Sequence, residues 1–185
     1  MDTAQRLRHE NIAEYILYIW QLEDLIRALQ FSPEAIYTQF VVPRTQLAPE
    51  DQHALLKWYV ELGELLQSEN KETKGHIEHT THLIGDLHNL HLQLMKLPIG
   101  ARYRALYIAL EEVLPDLRAI FGGDINDTEL CFRALYAVIL YRIKGENEKS
   151  AITDTLEYIS PVIAELAKNY RMVESGEVNL FAQEE

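Results

Sequence analysis

The chain has 185 residues, 48% of them hydrophobic and 25% charged, with a formal net charge of −12 at pH 7. That length fits one domain and buries about 70% of the unfolded surface, so neither a disulfide nor a metal is needed to hold a core. The acidic balance argues against nucleic acid, whose backbone is bound by Lys and Arg displacing counterions, and against anionic membranes.

A single cysteine, Cys131, excludes an internal disulfide and a thiolate-rich zinc site, and fits a reducing, cytoplasmic setting. The opening segment MDTAQRLRHENIAEY lacks the basic start, apolar run and small-residue cleavage site of a signal peptide. No stretch approaches the ~18 uninterrupted apolar residues of a membrane span.

Helix signals then follow in chain order. Good helix formers without Gly or Pro predict a first helix over 3–30. Ser32 as N-cap and Pro33 at the first helical position open a short second helix that ends before Pro43. A third begins near Ala48-Pro49, carries Leu55, Leu56, Trp58, Tyr59, Leu62, Leu65 and Leu66 at helical spacing, and breaks at SENKETKG. The fourth is expected over 75–97, stopping at Pro98. The fifth is expected over 101–121, bent at Pro115 and closed by Gly122-Gly123. The sixth runs from Asp127, read as its N-cap, to Lys144, with Gly145 behind it. The seventh begins near Ser150 and reaches about Val173, with Pro161 as a kink. No strand pattern competes, and short loops favour antiparallel neighbours. The expectation is an all-α, antiparallel bundle of about six to seven helices, forming one domain over 1–174 with a flexible acidic tail over 175–185. The string Arg-Ala-Leu-Tyr at 104–107 recurs at 133–136, but its flanks do not align and no solenoid repeat follows.

On the first helix Ile12, Ile16, Ile19, Trp20 and Ile26 share one face, and Tyr15, Tyr18, Leu22, Leu25 and Leu29 widen it, as in a central helix. Glu23 falls inside that apolar stripe, with Arg27 one turn on in the favourable pairing order. Burying either charge alone costs several kcal/mol, so each implies a partner. Two readings stay open. One is an intrahelical ion pair at a helix crossing or dimer contact. The other is a polar pocket wall, with Arg27 on an anionic ligand or Glu23 as acid or base.

Five of the seven histidines are His76, His79, His82, His88 and His91. His76 and His91 fall on the apolar face set by Leu83, Ile84, Leu87, Leu90 and Leu94, where each needs a hydrogen-bond partner. His79 and His88 lie at its edges. His82 faces solvent, four residues before Asp86. His79, His82 and Asp86 could compose a surface site for zinc or nickel, but the spacing drifts around the helix. A di-iron bundle needs two Glu-x-x-His motifs on separate helices, and only Glu50 to His53 is present. HExxH is absent, so no cofactor and no physiological metal are expected.

Cys131, beside Phe132, reads as core, and Tyr103, Tyr107, Tyr136 and Tyr141 read as packing before pocket. No nucleophile-elbow, phosphate-loop, dinucleotide or kinase motif is present. The balance leans away from an enzyme.

The segments ENIAEYILYIWQLEDLIRA, KGH at 74–76, LHLQL at 90–94 and CFRALYAVILYR at 131–142 together resemble an all-helical domain-of-unknown-function family common in Bacteroides-like bacteria. The resemblance covers nearly the whole chain and implies no activity, cofactor or catalytic residue. His79, His82 and His88 lie outside the matching motifs, leaving Glu23, Arg27, His76 and His91 as the candidate residues. The leading functional expectation is a cytoplasmic helical protein acting through protein–protein contact, as a homodimer. The alternatives are a small-molecule-binding or hydrolytic bundle with a pocket near Glu23 and Arg27, and a His-rich metal-binding bundle.

Overall fold

A computed structural model describes residues 2–145 and 154–180. The expected start of the last helix near Ser150, and the end of the acidic tail at 181–185, lie outside the described residues. Every element among the described residues is helical: α1 Asp2–Glu10, α2 Ile12–Ala28, α3 Pro33–Ile36, α4 Pro49–Ser68, α5 Glu78–Leu94, α6 Ala101–Glu111, α7 Leu114–Phe121, α8 Asp127–Lys144 and α9 Leu156–Glu174. A π-helical turn, Tyr37–Val41, continues α3, and a 3-10 turn, Pro98–Gly100, precedes α6.

The all-α expectation holds, but the helix number does not: nine α-helices stand among the described residues where six to seven were expected. Two of the expected helices are each split. The first breaks at Asn11, whose Oδ1 accepts the Ala13 N–H at 3.1 Å and so caps a new helix. The fifth breaks after Glu111, because Pro115 offers no N–H to that carbonyl and instead occupies the first turn of α7. Helix α9, by contrast, runs through Pro161.

The chain divides into two compact units. The first holds residues 1–9 and 14–82. Its core gathers Ile19, Leu22 and Ile26 of α2, Ile36 and Val41 of the short helical turns, and Leu55, Tyr59, Leu62 and Leu66 of α4. Gln30 and Phe31 adopt left-handed backbone, with φ of 53° and 59°, and so reverse the chain sharply after α2. The reversal brings the Phe31 ring to Gly63, where any side chain would meet both Phe31 and Ile26 at 3.4 Å.

The second unit holds residues 10–13 and 83–185. Here α9 packs against α6 and α8, and α8 packs against α7. Leu87, Leu94, Leu110, Leu117, Phe132 and Ile159 are among its fully covered side chains. Arg104 donates through Nη1 to the carbonyls of Leu94 and Leu97, at 2.7 and 2.6 Å, and thereby satisfies the end of α5.

Candidate functional site

Glu23 is fully buried, with 0% exposure. Its Oε2 accepts from His76 Nδ1 at 2.6 Å, and its Oε1 accepts from the Ile77 backbone N–H at 3.2 Å. Arg27 Nη2 stands 3.9 Å from the same carboxylate. The guanidinium is chiefly occupied elsewhere. Its Nε donates to the Lys71 carbonyl at 3.0 Å, Nη1 to Asp24 at 2.8 Å, and Nη2 to the Gly75 carbonyl.

The His76 ring lies flat on Trp20, with centroids 3.7 Å apart and an interplanar angle of 9°. The Trp20 indole N–H donates to Thr80 Oγ1 at 3.2 Å, and that hydroxyl donates to the Ile77 carbonyl at 3.0 Å. One face of α2 therefore grips the α4–α5 connection at Lys71, Gly75, His76 and Ile77, and the first turn of α5 at Thr80. Glu23, Arg27 and His76 converge as one network. Each oxygen of Glu23 has a donor, and the Arg27 donors are directed at the Lys71 and Gly75 carbonyls and at the Asp24 carboxylate.

His91 belongs to a different group, in the second unit. Its Nδ1 lies 2.9 Å from the Tyr103 hydroxyl, and its ring stacks on His88 and lies tilted against Tyr107, with centroids 5.4 and 4.8 Å away. Burial, with the nearby His88 adding to it, holds its pKa below the ordinary value, although Asp127 pulls the other way. Tyr107 donates to Asp127 Oδ2 at 2.7 Å, and Arg118 pairs with the other carboxylate oxygen. Burial and the Asp127 carboxylate push the Tyr107 phenol upward. Burial, with Asp127 adding to it, pushes the Cys131 thiol up to about 12.

Sequence reasoning overlooked Asp127 because it read that residue as the N-cap of α8. Asn126 takes that role, accepting the Glu129 N–H at 2.9 Å, and this frees Asp127 for Tyr107 and Arg118. The available signal was the Asn-Asp pair itself, since either residue can cap.

His79 approaches the Tyr15 hydroxyl at 3.2 Å, and His82 is exposed. Among the described residues no group of three or more His, Cys, Asp or Glu is placed to hold a metal ion, His79, His82 and Asp86 included. Nor does any buried side-chain nitrogen or oxygen among them lack a hydrogen-bond partner. No helix among them is long and apolar enough to cross a membrane.

The described residues form helices whose buried ionisable groups are closed upon one another. The chain belongs to the family described as a domain of unknown function (DUF4924), whose model matches residues 1–177. No curated protein and no solved structure matches it.

Proposed function

We propose that the chain acts through protein–protein contact, in the first place with a second copy of itself, using the incompletely covered apolar surface of the first unit. The observation that carries this reading is a rim of large side chains around that unit's core. Tyr18, Leu29, Phe31, Phe40 and Trp58 pack only partly against the core, while Leu25, Tyr37, Val42 and Leu65 stay 44, 42, 50 and 38% exposed. On α2 the residues Tyr18, Leu22, Leu25 and Leu29 follow helical spacing, and on α4 Trp58, Leu62 and Leu65 do the same. In both stripes the middle residue, Leu22 or Leu62, is buried while its neighbours reach solvent. Aromatic and aliphatic side chains so placed make the centre of an interface, and a two-fold dimer is the commonest way to cover such a surface.

In this reading the protein works in the cytoplasm, its helices packed as antiparallel neighbours, with Cys131 reduced and structural. Light scattering tests it. The native chain should have twice the 21.4 kDa of a single copy. Leu25→Glu combined with Leu65→Glu should return it to one copy, with helix content intact because both side chains already reach water. A native chain that stays at 21.4 kDa as its concentration rises would overturn the proposal.

A further inference from the structure

Glu10 and Asn11, at the break before α2, and Ala164, Ala167, Lys168 and Arg171 of α9 line a cavity of about 200 Å3 within the second unit. The four α9 residues recur at helical spacing and form one stripe. The two alanines leave the space, and the two cations stand beside it.

Cations are the scarce charge here, with 17 basic against 29 acidic residues. Elsewhere in the fold, arginines are held by named acceptors: Arg27 by the Lys71 and Gly75 carbonyls, Arg104 by those of Leu94 and Leu97, and Arg118 by Asp127. Lys168 and Arg171 differ, since neither side chain has a hydrogen-bond or ion-pair partner among the described residues. Two unpaired cations one turn apart suit a carboxylate, which accepts from both. Glu10 on the lining argues against a purely anionic guest, and the two cations argue against a purely cationic one. A molecule carrying both charges a few bonds apart meets neither objection. A carboxylate also accepts several hydrogen bonds at once, so Glu10 can receive an ammonium group beside other partners.

We infer that this cavity binds a small α-amino acid as its zwitterion, the carboxylate on Lys168 and Arg171 and the ammonium toward Glu10. The volume restricts the guest to a short side chain, because it falls below the ~300–1,000 Å3 typical of larger ligands. Ala164 and Ala167 offer that side chain an apolar floor.

The test is a titration of L-alanine into the full chain labelled with nitrogen-15, with acetate and phosphate as comparison ligands. Saturable shifts should be confined to the amides around Asn11 and of Ala164 to Arg171. Lys168→Ala combined with Arg171→Ala should weaken alanine binding by about tenfold or more. Glu10→Gln should weaken alanine yet strengthen acetate, a reversal that only a mixed-charge guest produces. All three side chains are exposed, so these variants should keep the native helix content. Absence of saturable shifts in the native chain, or identical shifts in the double variant, would overturn the site. Tighter binding of acetate or phosphate than of alanine to the native chain would overturn the zwitterion assignment.

Discussion

Glu23 Oε2 and His76 Nδ1 lie 2.6 Å apart across 53 residues of sequence. The bond ties the middle of α2 to the far end of the α4–α5 connection. Its carboxylate is fully buried, and the His76 ring that meets it is fixed in turn by stacking on Trp20. Buried ionic groups contribute little net stability when complete, but removing one partner leaves the other stranded.

Glu23→Ala should therefore lower unfolding free energy by about 3 kcal/mol in urea titrations, from loss of a buried charged partner and two hydrogen bonds. Hydrogen exchange supplies a local readout. The Ile77 amide donates to Glu23 and should lose protection, while the amides of α8 keep theirs. Unchanged protection at Ile77 would show that the connection holds itself without this carboxylate.

His91 makes stability depend on pH. Its pKa in the folded chain is held below the ordinary imidazole value of 6.5, first by burial and then by His88. The unfolded chain thus binds a proton that the folded chain refuses. The contribution of neutral His91 is complete above pH 6.5, and it is lost as pH falls from 6.5 toward the depressed folded value. Below that value no further loss accrues, since both states are protonated. Denaturation midpoints measured across this window should fall for the native chain, and fall less steeply for His91→Gln.

Cys131 should be silent toward thiol reagents in the folded protein. It is 1% exposed, and burial pushes its thiol up to about 12, so almost no thiolate exists at neutral pH. Labelling should be absent under native conditions and become rapid in denaturant. Fast native labelling would mean that α8 opens locally.

Gly100 sits against the end of α5. A Cβ there would fall 1.8 Å from the Leu94 carbonyl oxygen, the same oxygen that Arg104 caps. Gly100→Ala should destabilise by about 3 kcal/mol or prevent folding, because backbone rather than a movable side chain stands in the way. Gly85→Ala is the matched control: nothing lies within 4 Å of the added methyl, and helix propensity favours alanine, so stability should hold or rise.

The residues by themselves determined the helical class and most helix ends. Ser32-Pro33 opened α3, Pro49 opened α4, and Gly122 and Gly145 closed α7 and α8, because these signals act through local backbone geometry. They also marked Glu23 and His76 as groups that must find partners, since a charge or imidazole on an apolar stripe demands one wherever it is buried. The tertiary structure alone decided which partners those are. Whether Arg27 served Glu23, a ligand or the backbone depended on a connection more than forty residues away, and periodicity along one helix carries no such information. The same holds for His91: periodicity placed it on one helix face with His76, but His76 precedes α5 and His91 joined Tyr103 and Tyr107 in the other unit. Asn11 and Asn126 show the remaining gap. Each caps a helix by accepting a backbone N–H two or three residues on, at a site where the neighbouring sequence offered no periodic signal.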